Sequence, residues 1–257
     1  TNKLFIAMIA TTLGLSCCTN NKQTIAYPEA RKAATIDTYF GTEIHDPYSW
    51  MENDTTAEVA AWVKAENEIT FNHLSQIPFR QKLNQRLTEL INYEKIGTPS
   101  KKHGKYYFFK NDGLQNQSVL YTKETLDATP EVLLDPNSLS NDGTVALDKI
   151  SFSNDGRYLG YTISRKGSDW KEIFIIDLET RQHLNDHILW AKFTGIQWHG
   201  NGFYYSAYDA PVEGKEFSNV NENHKIYYHR LGTPQNKDVL IYQNPEYPRR
   251  FYSCSVS

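Results

Sequence analysis

The chain has 257 residues, 39% of them hydrophobic and 22% charged, which excludes both a disordered chain, poorer in apolar residues, and a membrane-embedded one, richer in them. Its net charge of -3 supplies no basic surplus to neutralise phosphates, so nucleic acid is not expected as a partner. Aromatic residues make up 13%, with 17 Tyr and 12 Phe, and favour a sheet-rich fold because flat rings fill the pleated face of a strand.

Lys3 precedes an apolar run over residues 4–15 that closes on Ser16-Cys17-Cys18-Thr19-Asn20. A dozen or so apolar residues fall short of the roughly 20 that cross a hydrocarbon core, but fit the hydrophobic region of an export signal. Residues 1–18 are therefore read as a signal peptide. A small-residue stretch ending on cysteine resembles a bacterial lipoprotein signal, in which the cysteine becomes the lipidated first residue. Cys17 fits with Ser16 just before it, and Cys18 fits with Leu15 three residues before it. A plain secretory signal with two incidental cysteines is the alternative. The expected location is periplasmic or membrane-anchored, with the lipid anchor as the only membrane contact. Cys254 is then the single cysteine of the mature body, which leaves no intramolecular disulfide and no cysteine metal cluster.

Residues 19–26 are polar and read as a tether. Residues 27–95 read as a helical segment. Asp54 or Thr55 is placed to cap a first helix, Glu58 stands three after Thr55 as in a capping box, and Val59, Trp62 and Val63 share a face. Phe79, Leu83, Leu87, Leu90 and Ile91 form the stripe that a second helix would bury, with Pro78 near its first turn. The charged groups of these helices, Lys64, Glu66, Arg86 and Glu89, read as solvated faces that imply no partner.

From Ile96 the period changes, and short runs of Tyr, Phe, Val and Ile alternate with Asn, Asp, Gly and Ser clusters. Strands are predicted over residues 118–121, 132–134, 158–163, 173–177, 188–193, 203–208, 225–231 and 239–242. Gly104, Gly156 and Gly202 each precede an aromatic strand at the roughly 40 to 50 residue spacing of a propeller blade. Tight hairpins need such glycines because their turns require positive φ. The fold class read from residues 96–257 is mainly β, with about three blades of a β-propeller. A large antiparallel sandwich would show similar strands at a tighter spacing.

Asp46-Pro47-Tyr48-Ser49-Trp50-Met51-Glu52, Asn111-Asp112-Gly113-Leu114-Gln115-Asn116-Gln117, Leu134-Asp135-Pro136-Asn137, Gly167-Ser168-Asp169-Trp170 and Tyr227-Tyr228-His229 resemble, in order, the N-terminal part of the prolyl oligopeptidase family of serine peptidases. The resemblance implies a seven-bladed propeller that gates access to an α/β-hydrolase domain, whose Ser-His-Asp triad cleaves short peptides after proline. The propeller portion would be truncated here. No Gly-x-Ser-x-Gly elbow occurs in the sequence, so no catalytic residue is assigned and the chain alone is expected to be inactive. Short proline-containing peptides are the implied partners, no cofactor is implied, and oligomeric state is not readable. A non-catalytic propeller lipoprotein that binds a peptide or protein is the alternative. An unclosed, unstable gene product is another, because unpaired strand edges invite aggregation.

By position in the family pattern, Phe193 and Phe251 are the substrate-binding candidates, with propeller core as the competing role for both. Asp169-Trp170 is read as structural, its carboxylate taking the indole N–H or capping a turn. His183 and His187 flank Asn185-Asp186 in an expected loop and lack the Glu of a zinc motif, so no metal is assigned. His199, His224 and His229 are expected to be satisfied surface histidines.

Overall fold

In a computed structural model, residues 25–212, 216 and 220–256 are described, so the expected signal peptide, Cys17 and Cys18 lie outside the described residues. The chain divides into two compact units, one ending at Gln76 and the other beginning at Ile77.

Within the first unit, β1 (Ile36–Tyr39) and β2 (Thr42–His45) pair as a hairpin, so the segment expected to be helical opens with strands. Trp50 of the Asp46–Glu52 motif donates its indole N–H to the carbonyl of Arg31 at 2.8 Å, and Asp46 accepts the amide of Tyr48. The helix α1 (Ala57–Ser75) is capped by Thr56, whose hydroxyl accepts the amide of Val59, and not by Asp54 or Thr55. That shift of one residue removes Glu58 from capping-box register, and it pairs with Arg31 instead.

The second unit begins with α2 (Arg80–Ile91), whose apolar stripe is exposed rather than buried. Phe79, Leu83, Leu87, Leu90 and Ile91 are all at least half accessible. After it come β3 (Lys95–Ile96), β4 (Ser100–Lys102), β5 (Lys105–Asn111), β6 (Val119–Lys123) and β7 (Glu131–Leu134), which form one five-stranded sheet. Next are β8 (Val145–Phe152), β9 (Tyr158–Arg165), β10 (Lys171–Asp177) and β11 (His183–Ala191), then β12 (Gln197–His199), β13 (Gly202–Ala207), β14 (Lys225–Arg230) and β15 (Val239–Tyr242). These eight strands make an antiparallel sheet whose halves are joined by one register pair, Ala191 with Ala207. Counted as blades, β4–β7, β8–β11 and β12–β15 are three, and the sheets do not close.

Successive strands point alternate residues to opposite faces, and here each face meets a neighbouring blade. Leu159, Tyr161 and Ile163 of β9, with Ile176 of β10, pack on Tyr107, Leu120 and Leu134 of the first blade. Ile173 and Ile175 of β10, with Ile188 and Ala191 of β11, pack on Ile196, Trp198, Phe203 and Tyr205 of the third. The polar motif residues bracket the blades. Gln117 donates to the carbonyl of Val145 at 2.7 Å and accepts the amide of Leu147 at 2.9 Å, which ties the first blade to β8. Asn137 in turn accepts the amide of Gln117 and donates to its carbonyl.

Gly104 and Gly156 have the positive φ expected of them, but in the third blade the turn glycine is Gly200, at φ +54°. Gly202 lies inside β13 for another reason. A Cβ there would stand 2.0 Å from the carbonyl oxygen of His229 on the paired strand.

Candidate functional site

The β9–β10, β11–β12 and β13–β14 connections and the segment after β15 meet at one end of the blades, where their rings touch. This end gathers Trp170, Phe193, Tyr208, His224 and Phe251. The β4–β5, β8–β9 and β10–β11 turns lie at the other end, where His103, Arg157 and Arg181 line a cavity of about 360 Å³. Its cations are already engaged, Lys105 by Glu124, Arg157 by Asp177 and Arg181 by Glu131.

Phe193 and Phe251 lie together, with ring centroids 5.7 Å apart. They are 51% and 68% exposed. Phe193 sits at φ +51° and Trp190, three residues earlier, at φ +59°, a region that side-chain-bearing residues occupy only when their surroundings impose it. Three bonds impose it here. The amide of Lys192 donates to the carbonyl of Ser206 at 3.3 Å, the amide of Ser206 donates to the hydroxyl of Thr194 at 2.7 Å, and the amide of Tyr208 donates to the carbonyl of Trp190 at 3.3 Å.

Beside Phe193, the ammonium of the buried Lys192 stands 5.5 Å from its ring centroid and 4.8 Å from that of Trp170. It reaches Asn221 Oδ1 at 3.3 Å and Asp169 at 4.0 Å. Trp170 packs edge-on against Trp190 and Tyr208, and its indole N–H donates to the carbonyl of Glu216. The expected bond to Asp169 is absent: that carboxylate is exposed, and Ser168 takes the amide of Trp170. Trp170 is thus half-buried at the edge of this aromatic group, its indole N–H taken by a backbone carbonyl. It also lines, with Tyr208, Pro211, Val212 and Val220, a cavity of about 180 Å³, the scale of one side chain. An apolar, aromatic surface with one cation can hold apolar and carbonyl-bearing groups by contact area and by an N–H donor. The structure brings the two candidates, Phe193 and Phe251, together, and Lys192 and Tyr208 join them through folding, with no local motif to announce them.

The histidines depart most from expectation. His183 and His187 lie within strand β11 rather than in a loop, with His187 against Glu172 at 2.8 Å. His199 is exposed, as expected of a surface histidine. His224 and His229 are fully buried. His229 Nε2 meets Asp186 at 2.8 Å and Nδ1 meets Asp238 at 2.6 Å. Asp186 also accepts the amide of Gly232, and Asp238 the hydroxyl of Tyr205, so both carboxylates act as acceptors and the imidazole donates from both nitrogens. Burial pulls its pKa down, but the hydrogen bonds to Asp186 and Asp238 together outweigh it and raise the value to about 9. Burial also pushes the phenol of Tyr205 up, with help from Asp238. Among the described residues no group of three or more His, Cys, Asp or Glu is placed to hold a metal ion.

Residues 27–257 match the family model described as prolyl oligopeptidase, N-terminal beta-propeller domain. The chain is 46% identical over its whole length to a prolyl endopeptidase of Elizabethkingia meningoseptica, of which it covers 36%. Among solved structures it resembles prolyl oligopeptidase B of Galerina marginata bound to a 35mer hydrolysis and macrocyclization substrate, with TM-score 0.74 and 31% identity over 90% of this chain and 35% of that one. Oligopeptidase B of Leishmania major shares the fold at 17% identity, with TM-score 0.69 over 86% of this chain and 33% of that one. The chain therefore spans about a third of the length of the relatives it matches.

Proposed function

This chain belongs to the prolyl oligopeptidase family through its N-terminal β-propeller domain, and on that footing we propose that it is the N-terminal part of a serine endopeptidase that hydrolyses short peptides after proline. In this reading the propeller gates substrate access, and Phe193 and Phe251 meet apolar groups of the bound peptide. The observation that carries it is the pair itself: two exposed rings 5.7 Å apart, one held on strained backbone, at the end of the blades. A proline-containing peptide has few donors, so apolar contact must provide much of its binding. The exposed stripe of α2 offers the surface on which a hydrolase domain would pack. The catalytic Ser, Asp and His are expected in that domain.

The complete gene product should cleave a chromogenic proline-containing peptide, and the 257-residue chain alone should not. Phe193→Ala in the complete enzyme should raise KM about ten-fold, the scale of one lost ring contact, with kcat little changed. A complete product without peptidase activity that still bound such peptides would favour the non-catalytic lipoprotein. Measurable turnover by the chain alone would contradict its proposed inactivity.

We also propose export and lipid anchoring through Cys17 or Cys18. Cells fed labelled palmitate should label the protein, and replacing both cysteines with Ser should abolish the label. Unchanged labelling of that double variant would overturn the anchor.

A further inference from the structure

His224 is fully buried, and each of its ring nitrogens is bonded to a backbone group beside one of the two phenylalanines. Nδ1 accepts the amide of Tyr252 at 2.8 Å, and Nε2 faces the carbonyl of Lys192 at 3.0 Å. Those groups are the halves of two particular peptide units: the carbonyl joins Lys192 to Phe193, and the amide joins Phe251 to Tyr252. We infer that His224 is a positioning residue that sets the distance and orientation of Phe193 and Phe251, by clamping the peptide unit next to each. The inference rests on the proposed role of these two rings in substrate binding.

The chemistry of the clamp is specific. A peptide N–H only donates and a carbonyl only accepts, so Nδ1 must be unprotonated and Nε2 must carry hydrogen. One neutral tautomer satisfies both; an imidazolium would set an N–H against the N–H of Tyr252. Burial holds the pKa of His224 below the usual histidine range, more strongly than the Lys192 carbonyl raises it, which keeps the ring in that form. The ring is itself fixed by Tyr208, whose centroid is 4.5 Å away, and by Phe193 at 6.4 Å. Ser206 runs alongside, its hydroxyl donating to the carbonyl of Tyr252 at 2.9 Å and its own carbonyl accepting from Lys192. Ser206 therefore sets the spacing of the two segments, while His224 governs the rotation of the peptide units that aim the rings. Phe193 depends on this most, because the three bonds around it hold its φ of +51° but leave the carbonyl of the Lys192–Phe193 peptide unit with His224 as its side-chain partner.

The test uses the complete peptidase. His224→Leu, which removes both bonds, should raise KM for a proline-containing peptide about ten-fold with kcat within about two-fold, because misaimed rings weaken binding without touching the reacting bond. His224→Gln should return KM to within about three-fold of the parent, since a carboxamide presents one acceptor and one donor. If the Leu variant does not fold, His224→Asn, too short to reach both peptide units, takes its place. A folded Leu or Asn variant with parental KM overturns the inference, and so does one in which kcat falls while KM stays. Phe193→Ala separates the two levels of the argument. Parental KM in that variant removes the binding role of Phe193 itself, whereas a raised KM there beside a parental KM in the folded His224 variants removes only the clamp.

Discussion

Replacing His229 with leucine is expected to destabilise the protein by about 3–5 kcal/mol, the scale for breaking a buried ion pair by removing one partner. The cost comes from what is left behind. Asp186 and Asp238 have side chains only 3% and 2% exposed, and without the imidazolium they face each other across a cavity with one remaining donor each, the amide of Gly232 and the hydroxyl of Tyr205. An unpaired buried carboxylate can avoid the cost only by taking a proton, which itself costs stability at neutral pH. His229 also ties β14 to β11 and to the turn before β15, strands that otherwise meet through β13. Urea unfolding of the parent and variant gives the difference, and a loss under about 1 kcal/mol would show that the network contributes little. Asp186→Asn should lose less, because an amide keeps an acceptor for His229 and for Gly232 while Asp238 retains the charge pair.

That network marks the limit of what the sequence discloses. The blade pattern is legible because its cause is local: a glycine turn, an aromatic strand and a polar turn repeat, and the predicted strands coincide with β6, β7, β9, β10, β13, β14 and β15 to within about two residues. β11 is legible only in its second half. His183-Leu184-Asn185-Asp186-His187 looks like a polar loop because an inward position carries Asp186, and what makes that burial tolerable is a histidine 43 residues further on. His224 and His229 look like surface histidines for the same reason, since their partners lie 28 and 32 residues away for His224 and 9 and 43 for His229. The α2 stripe is legible as apolar but not as exposed, because periodicity cannot say what covers it. Phe193 and Phe251 are candidates through family position alone. Nothing local distinguishes them from core aromatics, and the left-handed backbone at Phe193 is one that only the folded chain imposes.

The same imidazole should make stability fall on the alkaline side of neutrality. The folded pKa of His229 is about 9 against an ordinary value of 6.5, so between these limits the folded state holds a proton that the unfolded chain has released. Its contribution is fully present below pH 6.5 and is lost as pH rises through 9. A separation of that size corresponds to roughly 3 kcal/mol, spread over the interval. Tyr205, which bonds Asp238 in the same cluster, does not blur the effect, since its raised pKa keeps the phenol neutral throughout. On the acid side the signs reverse. His224 and His183 are held below the ordinary histidine value by burial, so the unfolded chain binds protons there that the folded one refuses, and stability falls as pH drops below 6.5. Asp186 adds to that loss at lower pH. Burial alone would raise its pKa, but the bonds from His229 and Gly232 bring it below the usual carboxylate value, so its contribution disappears as the acid protonates it. The expected profile is a stability maximum near pH 6.5 with a decline on both sides. Thermal midpoints measured from pH 5 to 9 check it, and midpoints that stay level or rise between 6.5 and 9 would mean that His229 is not held as a cation between its two carboxylates.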